Sequence, residues 1–328
     1  MIIDLETLRK TSVSALLNLT GPDHAAQQID LLLDADLRGI SSHGVLRLPR
    51  IAQRIRNGVT DPSQTGCHNW RGEGFLQVDG KRGLGPVVAN AAIAALEDRV
   101  RRTGVAMAAI TNSNHIGMLG YYCEAAALKG LSMIALSTSE ALVHPWGGRR
   151  AMIGTNPVAI GLPVGGGEIF MMDTATGLVS MGEIHDHANR SVPIPEGWAL
   201  DGEGRPTTDA EAAKSGAIAP FGGPKGYALG LAFELLVSSL ADAAIGRDVT
   251  GTLDDDTICN KGDVFILADG PVADMRPYLD AIRSEMPAEG FDRVLIPGER
   301  GRASRKTRAA AGIDLPETLW GDIRNLAG

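Results

Sequence analysis

The sequence predicts an α/β (α+β) protein with a helical N-terminal part. Three observations carry that expectation. Up to Gly58 the apolar residues recur at helical spacing; from about Phe75 short apolar runs alternate with longer amphipathic stretches; and 41 glycines with only 4% aromatic residues suit loops that approach ligands closely.

Taken in order, Leu5, Leu8, Val13, Leu16 and Leu17 space as one helical face, Gly21-Pro22 interrupts it, and Ile29, Leu32, Leu33 and Leu37 resume it in a second helix. A third helix is expected from about Val45 to Arg56, with Gly58 placed to close it. Farther on, Val105 to Ile110, Ser132 to Leu136, Val158 to Leu162, Ile169 to Met172 and Val264 to Leu267 read as strands. Val87 to Arg101, Tyr121 to Lys129, Gly226 to Ala244 and Val272 to Ser284 read as helices. The Asp-, Gly-, Pro- and Thr-rich stretch between Glu183 and Ala219 is too long for an idle loop, and loops of that length usually cover or build a site.

Composition narrows the function classes. With 39 acidic against 31 basic residues, a formal net charge of −8, no field gathers nucleic acid or an anionic membrane, and an anionic substrate needs a local basic cluster. Charges interrupt every apolar stretch of the N-terminus, MIIDLETLRKTSVSALL, so neither a secretory segment nor a membrane span can be drawn there and the cytoplasm is the expected location. Cys67, Cys123 and Cys259 are an odd number at no metal-ligand spacing, which reads as reduced thiols.

Five short segments carry chemistry. In Ser42-His43-Gly44-Val45-Leu46-Arg47, a helix starting at Val45 puts His43 and Arg47 about one turn apart on the same side. The arginine offers a planar fork for a carboxylate, the histidine a proton near neutral pH, and Ser42 a partner for the second ring nitrogen. A helix cap with a surface ion pair fits the same residues. Asn112 to Gly120 joins a strand to a helix, where exposed backbone N–H groups favour a pyrophosphate; an ordinary polar connection fits as well. Trp146-Gly147-Gly148 and Gly154-Thr155-Asn156-Pro157 make either a flat polar surface for an amide-bearing ring or plain turns. Asp173-Thr174-Ala175-Thr176-Gly177 places an acid at a strand end, where α/β ligands collect. Gly222-Gly223-Pro224-Lys225-Gly226 lacks the spacing of a P-loop, and a lysine opening a helix points to an anion. No GxGxxG follows any strand.

Together RGISSHGVLRLPR, NSNHIGMLGYY, PWGGRRAMIGTNPVAIGLPV, MDTATG, IPEGWALDGEGRPTTD, PFGGPKGYALG and LIPGE, running in order from Arg38 to Glu299, resemble the malate/L-lactate dehydrogenase family of non-Rossmann oxidoreductases. That family includes ureidoglycolate dehydrogenase, sulfolactate dehydrogenase, diketogulonate reductase and the piperideine/pyrroline-2-carboxylate reductases. The resemblance implies a non-Rossmann nicotinamide-binding domain of the sulfolactate dehydrogenase-like type over 121–289, a helical N-terminal domain over 1–73, and a catalytic body from 74–120 and 290–328. It further implies NAD or NADP as cofactor, a small anionic carboxylate as substrate, and a homodimer whose subunits both close the site. Carried over by residue, Ser42 and His43 resemble the catalytic pair, with His43 as acid and base, and Arg47 and Thr155 resemble substrate contacts. His115, Ile116, Gly117, Met118 and Leu119 resemble the cofactor loop, although some members use the histidine matching His115 as acid/base. Asp173, Thr174, Ala175, Lys225, Pro297, Gly298 and Glu299 resemble further cofactor contacts.

The implied function is interconversion of a small 2-hydroxy acid and its 2-oxo acid, with reduction of cyclic imino acids as the alternative. The chain departs from the pattern in places. Glu183 to Arg190 replaces a basic, Ala-rich segment, and Asp186 is the nearest counterpart of the acid that orients the histidine in imine reductases. Ile51 stands near a substrate-contacting tyrosine of some members, which argues against ureidoglycolate, and His144 is an extra polar group. A reading from another class is a metal-dependent hydrolase using His185, Asp186 and His187 with Asp254, Asp255 and Asp256; alternation along a strand keeps the first three from one side. An unperturbed histidine pKa of about 6.5 predicts reduction at neutral to mildly acidic pH and oxidation at alkaline pH.

Overall fold

The computed structural model describes residues 1–328. A short strand, β1 (Ile2–Ile3), leads into α1 (Leu5–Leu17), whose first turn is capped by Asp4 accepting from the Thr7 N–H at 2.9 Å. α2 (Pro22–Leu37) starts on a proline, which suits a first turn because its missing N–H would be unpaired there anyway. Single 3₁₀ turns at Ser41–His43 and Val45–Arg47 then precede α3 (Leu48–Arg56). The third helix is therefore not α-helical from Val45: Gly44 is extended at φ −88° and ψ −160°, and Pro49 sits in the first α-turn. Gly58 follows this helix with φ +73°, as its closing role requires.

The next elements alternate: β2 (Cys67–Arg71), β3 (Phe75–Asp79), α4 (Gly85–Thr103), β4 (Val105–Thr111), α5 (Leu119–Leu128), β5 (Ser132–Ser137), β6 (Val158–Gly165) and β7 (Glu168–Thr174). After them come α6 (Met181–Asn189), β8 (Ala199–Leu200), β9 (Pro206–Thr207), α7 (Ala210–Ala213), β10 (Ala217–Ile218) and α8 (Pro224–Ala241). The chain ends with β11 (Asp263–Ala268), α9 (Arg276–Arg283), α10 (Glu299–Ala311), β12 (Ile313–Asp314), which pairs with β1, and α11 (Glu317–Ala327). The helix expected from Val272 begins only at Arg276, where Asp274 takes the Arg276 N–H and guanidinium.

The seven-stranded sheet has the order β2-β3-β4-β11-β5-β6-β7, and only β3 and β4 run parallel. This is not the parallel order of a Rossmann domain, in keeping with the absence of a glycine fingerprint. Alternation along the strands decides which layer each side chain joins. Ala108, Ile110, Ala135, Phe265 and Leu267 face a large core shared with Leu8, Leu16, Ile29, Leu32, Leu96 and Tyr122 from the helices. Ala109, Leu136 and Val264 face the other way, against Val237 and Ala241 of α8. No helix is long and apolar enough to cross a membrane.

The stretch between Glu183 and Ala219 is more than a covering loop. It folds into α6, α7 and a three-stranded sheet ordered β10-β8-β9, around Ile184, Ile194, Ala199, Ala210 and Ala213. Its isolated apolar residues carry no strong period, so only their burial together identifies the unit.

Candidate active site

The turn that carries His43 is built on a carboxylate beneath it. Asp36, near the end of α2, is buried and its Oδ2 accepts the Val45 N–H at 2.7 Å. A Cβ on residue 44 would overlap the Asp36 carboxylate, so glycine is required by close approach rather than by an unusual φ. Burial pushes the Asp36 carboxyl up to about 6, partly offset by the Val45 N–H and Arg308.

Ser42, His43 and Arg47 form one unit. Ser42 Oγ lies 3.0 Å from His43 Nδ1, and Arg47 Nε donates to the Ser42 carbonyl at 2.7 Å. The remaining nitrogens of Arg47 find no protein acceptor and face the cavity that also holds Arg50, Ile51 and His115. Gly182, at the start of α6, reaches Ser42, so the small unit does border the site.

His115 arrives from the strand-to-helix connection, its ring centroid 5.3 Å from that of His43. The Gly117 N–H donates to its Nδ1 at 3.0 Å, which leaves the proton of a neutral ring on Nε2. Gly117 has φ +75° and would overlap Leu31 if it carried a side chain, so this turn too depends on glycine. Burial, then the Arg47 charge, drives the His43 imidazole down to about 3. Burial, then Arg47 and His43, drives His115 well down too. Both rings are thus neutral near pH 7, and the expectation of an unshifted histidine is corrected by a site holding arginines and no acid next to either ring. The ring resonances that vanish in His43→Asn should stay at neutral-imidazole positions in the free protein from about pH 8 down to about pH 5. A midpoint near the ordinary 6.5 in a nuclear magnetic resonance titration would contradict this.

A second series of contacts runs away from the histidines. Asp173, at the end of β7, accepts the Gly120 N–H at 2.7 Å and so ties this strand to the start of α5 just beyond His115 to Leu119. Burial raises the Asp173 carboxyl to about 6, against the pull of that N–H and Arg38. The Thr176 N–H donates to Thr155 O at 2.7 Å, and Thr176 O accepts from Phe221 at 3.1 Å, which joins the Thr155 turn to the loop before Lys225. Thr155 itself is held by Ser139, whose Oγ accepts its N–H at 3.0 Å. Pro297 to Glu299 lies on β7, with Gly298 against Met171 O.

These residues suit a dinucleotide. The N-terminus of α8 lacks a side-chain cap, leaving N–H groups to meet a phosphate, whereas Asp173 already takes the Gly120 N–H in the first turn of α5. Lys225 is exposed on the first turn of α8 and pairs with no acid, beside Gly222 and Gly223 at φ +57° and +63°. The fold brings Ser42, His43, Arg47 and His115 to one place, and links residues 115–119, 173–175, 221–225 and 297–299 through the contacts above.

Two expectations change. Asp186 does not orient His43: it pairs with Arg190 at 3.2 Å on the exposed side of α6, and Ser42 is the group at His43 Nδ1. The metal-site reading fails on geometry, since His185, Asp186 and His187 are consecutive on a helix, His187 Nδ1 is taken by Pro193 O, and Asp254 is bound to Arg54 and the Thr257 N–H. His144 has its Nδ1 engaged by Pro145 O.

Sequence reasoning missed Arg50, Arg54 and Glu234. Arg47, Arg50 and Arg54 recur at helical spacing, a signal that was there to be read. Arg54 is a clamp, donating to Asn114 Oδ1 and to the Asp254 and Thr257 carbonyls. Buried Glu234 on α8 accepts from the Gly154 N–H at 3.0 Å and Asn156 Nδ2 at 2.7 Å, and so fixes the Thr155 turn.

The sequence profile of the malate/L-lactate dehydrogenase family matches residues 3–324. The L-sulfolactate dehydrogenase of Methanothermobacter thermautotrophicus is 37% identical over 302 residues, 91% of this chain and 88% of that one. Among solved structures, a dehydrogenase from Sinorhizobium meliloti superposes with a TM-score of 0.96 at 49% identity, over 100% of this chain and 98% of the other. The sulfolactate dehydrogenase from Methanocaldococcus jannaschii does so with a TM-score of 0.92 at 33% identity, over 99% and 96%.

Proposed function

This chain belongs to the malate/L-lactate dehydrogenase family, and from that premise we propose that it interconverts a small 2-hydroxy acid bearing a second anionic group with its 2-oxo acid. It is an NAD(P)-dependent oxidoreductase. The observation that carries the substrate reading is the pair of guanidiniums, Arg47 and Arg50, that line one cavity with His115 and bind no acid of the protein. Burial and then the Arg50 charge push Arg47 down to about 10. Two anionic groups on a substrate would give both guanidiniums a partner.

In this reading Arg47 grips the 2-carboxylate with its free nitrogens while its Nε keeps the Ser42 carbonyl. His43, oriented by Ser42, takes the hydroxyl proton in oxidation and returns it to the oxygen in reduction. Burial and then the Arg47 charge depress His43, and the carboxylate would offset the Arg47 part, moving the imidazole upward. His115, with its proton on Nε2, is placed to donate a hydrogen bond to the substrate oxygen. A bound nicotinamide supplies or accepts the hydride. His115 to Leu119, Asp173 to Ala175, Lys225 and Pro297 to Glu299 would hold it, as NAD or NADP.

A turnover screen with both cofactors tests the proposal. Malate or sulfolactate should exceed lactate, which lacks the second anion, by about 10²-fold in kcat/KM, the scale of one charge-assisted contact. Equal rates with lactate, or highest activity on cyclic imino acids, would sink the reading. Ser42 rather than a carboxylate at His43 Nδ1 supports hydroxy acids over imines.

The homodimer belongs to the same proposal. α8 is mostly apolar, and Leu229, Leu235 and Leu236 remain 45%, 49% and 44% exposed on the face turned from the sheet. Such a helix face is ordinarily covered, and a second copy of the chain is the proposed cover. Sedimentation should give a dimer at micromolar concentration and a largely monomeric Leu235→Lys variant; a monomeric parent protein would refute the assignment.

A further inference from the structure

At the end of β7 opposite Asp173 lies a pocket of about 650 Å³, bounded by Glu168, the segment 293–295, Arg283 and the first turn of α10. That volume lies within the usual range for ligand sites. Three arginines, Arg283, Arg293 and Arg302, face two glutamates, Glu168 and Glu299, a local positive surplus in a chain of net charge −8.

The partners of these groups decide what the pocket can take. Glu299 is already engaged, with Oε1 accepting from Arg283 Nε at 2.7 Å and Oε2 from the Ile296 N–H at 2.9 Å. Arg283 is further held by Asp280 and stands 3.8 Å from Glu168. Arg293 makes no hydrogen bond or ion pair, and Arg302 Nη1 is shielded from solvent without a hydrogen-bond acceptor. The pocket therefore offers two uncommitted guanidiniums; of its two carboxylates, Glu299 is fully engaged and Glu168 faces Arg283 at 3.8 Å.

Its place in the fold says which part of a ligand would reach it. Glu299 follows Gly298, which rests on Met171 of β7, and Asp173 of the same strand holds Gly120 beyond the His115 loop. The pocket thus continues the cofactor track at the end remote from His43, where the adenosine half must lie if the nicotinamide meets the substrate. A ribose 2′-hydroxyl is recognised by a free carboxylate, a 2′-phosphate by arginine.

We infer that Arg293 and Arg302 bind the 2′-phosphate of the adenosine ribose and that the enzyme prefers NADP(H) to NAD(H). The inference rests on the dinucleotide reading above.

Binding, not turnover, tests it. Titrations of the protein with NADPH and with NADH, followed by cofactor fluorescence, should give at least about tenfold tighter binding of NADPH, declining with added salt. Arg293→Ala, on the surface, and Arg302→Gln should each weaken NADPH about tenfold and leave NADH within about twofold. Circular dichroism confirms that each variant is folded, and adenosine 2′,5′-bisphosphate should displace NADPH better than adenosine 5′-diphosphate. Equal affinity for the two cofactors, or an equal loss of both in the variants, overturns the pocket assignment and leaves the dinucleotide reading standing. Binding of neither cofactor removes both.

Discussion

His43→Ala is expected to lower kcat by about 10²-fold or more on a 2-hydroxy acid while leaving the affinity for NADH or NADPH unchanged. The reason is positional. His43 lies on the turn that Asp36 supports, its Nδ1 against Ser42, with Arg47 returning to the same turn through the Ser42 carbonyl. It is therefore held relative to the group that would anchor the substrate, while the segments proposed for the cofactor are gathered along β7 and the starts of α5 and α8. His115 is the competing proton carrier, since its ring is 5.3 Å away. The Gly117 N–H occupies its Nδ1, so a neutral His115 presents an N–H rather than a lone pair to the cavity. Steady-state kinetics on both alanine variants, with cofactor titrations alongside, separate the roles. Normal turnover by His43→Ala with a dead His115→Ala reverses them, and two active variants would remove the site.

Arg47→Lys is expected to raise KM for the hydroxy acid by about 10- to 100-fold, with a smaller fall in kcat. An ammonium cannot reproduce the fork that holds a carboxylate through two nitrogens while a third keeps the Ser42 carbonyl. Because that last contact also steadies the His43 turn, some loss of kcat accompanies the loss of binding. Arg50→Ala sharpens the test, for it should weaken malate or sulfolactate and leave lactate nearly unaffected. A KM unchanged in Arg47→Lys, or an Arg50→Ala effect equal for all three acids, would place the carboxylate elsewhere.

Much of this was legible in the sequence because the signals are local. Five of the seven strands of the large sheet follow from short apolar runs, and seven of the eleven α-helices from apolar residues at helical spacing, since each period is a property of neighbouring residues. Gly44 and Gly117 stand beside the residues whose turns they permit, and the ordered motifs from Arg38 to Glu299 sufficed to identify the family.

Only the tertiary structure decided the rest. Insertion of β11 between β4 and β5, the folding of residues 183–219 into a unit bordering Ser42, and the approach of His115 to His43 all join segments distant along the chain. The same holds for the pairing of Asp186 with Arg190 away from the site and for Glu299 being held by Arg283, whereas the Ser42 contact with His43 was legible in adjacent residues. The low pKa of His43 is the clearest case. A residue's type sets its ordinary value, but desolvation and the field of Arg47 come from whatever the fold packs around the ring, and no local period encodes that.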